Sequence, residues 1–128
     1  TAEEFAVFQN AGYMGLYGGM TVDDIHRKKN LEVGQKILDY MGSTELIANL
    51  FRISQTEEKL RKDRISNSDT AAAVHYKVGN EVREAIEKIG GTMPEDLPTP
   101  EKSIAQLEKE QLQRLKQQAL DGQLMLDE

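Results

Sequence analysis

No cysteine occurs among the 128 residues, which excludes a disulfide framework and a thiolate metal site and fits an intracellular, cytoplasmic setting. A net charge of −6 argues against a general phosphate-backbone binder, because such proteins gain affinity when Lys and Arg release counterions. No apolar run approaches the roughly 20 residues that a membrane helix needs, and no signal-peptide core precedes the first charges, so a soluble chain without a membrane partner is expected.

A length of 128 residues with 38% hydrophobic content suits one core. The start at Thr1, without an initiator methionine, reads as a domain trimmed from something longer. In "TAEEFAVF", Thr1 is placed to cap and Glu4 to cap back, with Phe5 and Phe8 on one face of a short helix. "QNAGYMGLYGG", Gln9 to Gly19, is expected to end that helix. It holds four glycines and two tyrosines and no charge. It lacks the Lys-Ser/Thr ending of a phosphate-binding loop and the strand that precedes a dinucleotide fingerprint. A nucleic-acid clamp of the GxxG kind belongs to mixed α/β domains with basic residues nearby. Two readings remain: a tight corner between helices, or a partner-binding knob made by Tyr13, Leu16 and Tyr17.

"MTVDDIHRKKNL" repeats the capping logic with Thr21 and Asp24, pointing Val22 and Ile25 inward. Arg27, Lys28 and Lys29 then fall at a helix C-terminus, where cations are favoured. "VGQKILDYMG" reads as another short helix, with Val33, Ile37, Leu38 and Met41 apolar and Gly42 as its C-cap. Ser43 is placed to cap a longer one, "TELIANLFRISQTEEKLRKD", in which Leu46, Ile47, Leu50 and Phe51 form a wide apolar stripe. Glu57 and Glu58 stand four residues before Arg61 and Lys62, the order that favours pairing on a solvated face.

The clearest periodicity lies in "DTAAAVHYKVGNEVREAIEKIGG", where Ala71, Val74, Val78, Val82, Ala85 and Ile89 mark one helix face and Gly90 with Gly91 ends it. All three prolines fall in "TMPEDLPTP", a rigid extended connector. The last segment, "EKSIAQLEKEQLQRLKQQALDG", places Ile104, Leu107, Leu112, Leu115 and Ala119 on a narrow stripe broken by Gln111. Such a stripe needs a partner surface, in the same domain or in a second copy as a homodimer. With no alternating β-branched run anywhere, the expectation is an all-α compact bundle of about five to six helices with a long C-terminal amphipathic helix. Residues 1–100 form the helical domain and 101–128 the C-terminal helix and tail.

Chemistry is hard to place. His26 and His75 are the two histidines, far apart, with no HExxH pattern. The adjacent pairs Asp23–Asp24 and Glu57–Glu58 point to different sides of a helix. No catalytic residue, metal or cofactor is expected. A rival class is a nucleic-acid-binding regulator, in which helices around "MGSTELIANLF" act as a helix-turn-helix and Arg27, Lys28 and Lys29 meet phosphate.

Longer runs carry more. "FAVFQNAGYMGLYGG", "QKILDYMGSTELIANLFRISQTEEKL", "HYKVGNEVREAI" and "GGTMPEDLPTPEKSIAQLE" together resemble the C-terminal region of the DNA-damage-inducible protein D family, in order, from Phe5 to Leu107. The resemblance implies a bacterial protein induced in the SOS response and linked to restraining the RecA recombinase on single-stranded DNA. It brings no catalytic residues. The family pattern also has an upstream region similar to phage antirepressor domains, which these 128 residues lack, and the pattern departs after Leu107. If the domain docks on recombinase protomers, Tyr13, Leu16 and Tyr17 are the candidate knob and Lys59, Arg61 and Lys62 the candidate charged rim.

Overall fold

The computed structural model describes residues 1–126, with side chains as far as Gly122. Five α-helices follow one another: α1 (Ala2–Leu16), α2 (Val22–Lys28), α3 (Ser43–Lys62), α4 (Ser68–Ile89) and α5 (Ile104–Leu126), with single 3-10 turns at Ile37–Asp39 and Pro94–Asp96. No strand occurs among the described residues, so the chain is all-helical. No helix among them is long and apolar enough to cross a membrane. The bundle is built on α1 lying along α4, with α3 against α4 on another side. α5 leaves this body with its side chains from Ala105 to Lys109 and from Gln111 to Gly122 exposed.

The caps explain most of the boundaries. Glu4 N–H donates to Thr1 Oγ1 at 3.2 Å, and Thr21 with Asp24 forms a full capping box, as their spacing predicts. The Asp24 carboxyl is held below the usual range, chiefly by the Thr21 backbone N–H. Asn67 caps α4 by accepting from Thr70 N–H at 3.0 Å, and Gly90 closes it in the left-handed region at φ 87°. α3 starts one residue earlier than its sequence suggests: Gly42 is the N-cap and Ser43 the first helical residue.

The glycine stretch does not end the first helix. α1 runs on to Leu16, and only Gly18 (φ 66°) and Gly19 (φ 95°) turn the chain into α2. Gly12 and Gly15 stay helical because they face α4. A Cβ on Gly15 would collide with the Tyr76 carbonyl, and one on Gly79 would stand 2.8 Å from Gly12 O and 2.9 Å from Leu16 N. The two backbones approach too closely for any side chain between them, so the glycines serve the crossing of two helices.

The short helix expected over "VGQKILDYMG" reduces to the single turn Ile37–Asp39. Ile37 and Met41 are buried there, whereas Val33 is exposed and Gly34 turns the chain at φ 88°. A larger departure lies in α3. Its apolar residues Ile47 (66% exposed), Leu50 and Phe51 look outward, while Glu45, Asn49, Arg52 and Thr56 face inward at spacings of four, three and four. Only Leu46 and Ala48 of its hydrophobic positions pack against the core. The stripe foreseen on α4 is divided similarly: Val82 is buried, Ala71, Val74 and Val78 are half-buried, and Ala85 and Ile89 are exposed.

A buried polar network and an exposed apolar groove

The inward face of α3 meets the tyrosines of α1. Tyr17 hydroxyl donates to the Glu45 carboxylate and accepts from Asn49 Nδ2 at 3.0 Å. Asn49 Nδ2 also donates to the Glu45 carbonyl at 3.0 Å, one turn back on its own helix. Asn49 Oδ1 in turn accepts from Arg52 Nε (3.1 Å) and Nη2 (2.9 Å). Arg52 Nη1 lies 2.8 Å from His75 Nε2, and His75 Nδ1 lies 2.9 Å from the Phe8 carbonyl. A carbonyl only accepts and a guanidinium only donates, so the imidazole is neutral with its proton on Nδ1. Burial pushes the His75 pKa down to about 4, with the neighbouring Arg52 charge adding to it.

Lys29 closes the other end of the chain of bonds. Its Nζ stands 2.7 Å from Glu45 Oε1 and also donates to Tyr40 O (3.2 Å) and Thr99 Oγ1 (3.3 Å). Both partners of this ion pair are almost fully enclosed, with 6% and 0% of their side chains exposed. Arg52 has no carboxylate within ion-pair reach among the described residues; its guanidinium lies 4.3 Å above the Tyr13 ring instead. Burial lowers the Arg52 pKa and raises those of Tyr13 and Tyr17. Polar side chains thus fill an interior that the apolar stripe of α3 was expected to fill.

These positions correct two readings. Tyr13, Leu16 and Tyr17 are 8%, 0% and 1% exposed, so they form no knob; the stretch is the internal corner between helices. Of Arg27, Lys28 and Lys29, the first two stay exposed beside a carboxylate each, and Lys29 is withdrawn from the surface. Arg27 pairs with Asp24 at 2.7 Å, Lys28 lies 3.4 Å from Asp96, and Lys29 is buried. Lys59, Arg61 and Lys62 do stand exposed at the end of α3. The expected pairs of Glu57 with Arg61 and Glu58 with Lys62 are replaced by Lys59 with Asp63 at 2.6 Å. His26 is bonded to the Gln35 carbonyl at 3.0 Å.

Since α3 turns its polar face inward, its apolar face lines the surface. Ile47, Ala48 and Phe51 of α3 oppose Val82, Ala85, Ile86 and Ile89 of α4 across a groove of about 360 Å³, closed at one end by Pro94 and Leu97. The groove continues past Phe51 and Val82 towards Val74 and Val78, where Lys59, Lys77 and Glu81 stand on its margin. The Pro94–Asp96 turn is fixed to the bundle by Arg83, whose guanidinium grips Glu95 through two 2.8 Å bonds and donates to Leu16 O at 3.1 Å. Partial burial is the largest single influence on Glu95 and pushes its carboxyl up, but the Arg83 bonds, a backbone N–H and the Arg83 and Lys28 charges together hold it below its usual range. The sequence reading missed this groove. The signal for it was the polar series 45, 49, 52 and 56 at helical spacing, which claims one face of α3 and leaves Ile47, Leu50 and Phe51 outside.

Residues 1–107 match the family model described as the DinD C-terminal domain. The chain is 58% identical over 108 residues to the DNA damage-inducible protein D of Escherichia coli (strain K12), an alignment covering 84% of this chain and 39% of that protein. It therefore spans well under half the length of this curated relative. No solved structure matches it. The match covers the bundle, both 3-10 turns and the start of α5, the elements that build the polar network and the groove: the chain belongs to the DinD C-terminal domain family.

Proposed function

We propose that this domain is a non-catalytic recognition module of the cytoplasmic DNA-damage response, and that it docks on RecA-type recombinase filaments on single-stranded DNA. The observation that carries this reading is the α3–α4 groove, an exposed apolar surface presented by two packed helices. Its residues suit an apolar helix or loop of a protein partner. The DNA-damage role comes from the family and from the name of its relative. Docking that favours one filament state over another biases the filament toward disassembly through differential affinity alone. Lys59, Arg61 and Lys62 serve as the charged rim that orients the partner.

A pull-down of the domain with recombinase, with and without single-stranded DNA, tests the reading. The wild type is expected to be retained on the filament, and Ile47→Lys to lose at least about 10-fold in affinity, since a charge replaces an apolar contact of about 1.4 kcal/mol or more. Retention that is equal in the variant, or absent in the wild type, overturns it. Capture should be weakly salt-dependent, because an apolar groove releases few counterions.

A further inference from the structure

Two apolar surfaces of this chain are exposed at once. One is the α3–α4 groove. The other is the face of α5 that carries Leu107 (42% exposed), Leu112 (52%) and Leu115 (54%). The chain's own α5 does not close its own groove: Thr99, five residues before the helix, is tied to Lys29 on the α2 side, and α5 runs from there with both surfaces left open. We propose that the occupant of the groove is α5 of a second copy, exchanged reciprocally in a two-fold dimer. The proposal rests on the groove being a recognition face and adds its regulation: in the dimer the groove is covered, in the monomer it is free.

Lengths and charges agree with this. The groove runs along α4 from Val74 to Ile89, about 22 Å at the rise of an α-helix, and Ile104 to Ala119 covers the same distance. Glu108 lies on the leucine face of α5, four residues before Leu112 and seven before Leu115, where an apolar wall would leave it unpaired. Lys77 stands on the groove margin at the Val74 end and makes no ion pair among the described residues. Setting Glu108 beside Lys77 brings Leu112 and Leu115 alongside Phe51, Val82 and Ala85, with α5 running parallel to the partner's α4. A reciprocal exchange of this kind is isologous and closes on itself.

Sedimentation equilibrium of the whole chain, without recombinase, tests it. The wild type is expected at twice the 14.4 kDa chain mass. Leu115→Glu and Phe51→Lys are each expected at the monomer mass; both positions are more than half exposed, and circular dichroism with thermal melting verifies that each variant folds. An equimolar mixture of the two variants is expected to return to the dimer mass, because one protomer still offers a native groove and the other a native α5. A monomeric wild type overturns the proposal, as does a Phe51→Lys protein that stays dimeric, which would mean that the α5 helices pair with each other. Failure of the mixture to reassociate also overturns it. Mass is read without recombinase, and the pull-down reads capture whatever the mass, so failure of either idea is seen separately.

Discussion

At the scale of single residues, His75 shows how burial sets chemistry. Its ring is 2% exposed, stacked against Phe8 with centroids 4.3 Å apart, and bonded at both nitrogens, which fixes it as the neutral tautomer. In the unfolded chain the same imidazole titrates near its ordinary value of 6.5, whereas in the fold it titrates at about 4. Between these values the unfolded state binds a proton that the folded state refuses, so stability falls as pH drops from about 6.5 to about 4 and levels off below. At most about 3 kcal/mol is involved. Urea midpoints measured across this window are expected to decline in the wild type, and the slope above the carboxylate range to vanish in His75→Gln, whatever that variant's overall stability. A wild type flat between pH 6.5 and 5 would contradict the burial of the ring.

At the scale of elements, the crossing of α1 and α4 depends on what is missing. Gly12, Gly15 and Gly79 let the backbones meet, and Tyr13, Leu16 and Val82 pack around the contact. A methyl group added at Gly79 meets backbone atoms at 2.8 and 2.9 Å, and these do not swing aside as a side-chain tip would. Gly79→Ala is therefore expected to destabilise the fold by about 1–3 kcal/mol through overpacking, although alanine favours an isolated helix by up to about 1 kcal/mol. Denaturant unfolding decides between these signs. Propensity alone predicts a gain, and only the crossing predicts a loss. The same helices show why part of the fold was legible and part was not. Thr21 with Asp24, and Gly90 after Ile89, announce their boundaries because caps act within one turn. Glycines at 12 and 15 read as breakers, since the partner that needs them lies more than 60 residues away on α4.

At the scale of the whole molecule, one buried ion pair joins segments that are distant in sequence. Lys29, just after α2, reaches Glu45 at the start of α3, the Tyr40 carbonyl and Thr99 beyond α4. Lys29→Met should cost about 3–5 kcal/mol, because it leaves the Glu45 carboxylate enclosed without a cation. Adding Glu45→Gln is expected to recover part of that loss, since the uncompensated charge is gone. Thermal unfolding of the single and double variants measures the recovery, and a double variant no more stable than the single one would show the pair to be unimportant. By itself the sequence determined that the chain is helical, where most helices start and stop, that α5 carries an apolar stripe, and which family it resembles. Those properties follow from spacing along one helix and from residues a few positions apart. Only the tertiary structure decided which face of each helix is inside. A polar face goes to the interior when other helices supply its donors and acceptors, and Tyr17, Lys29 and His75 supply them to α3 from three other segments. Hydrophobic spacing within α3 carries no record of those partners, so Ile47, Leu50 and Phe51 read as core although the fold leaves them on the surface.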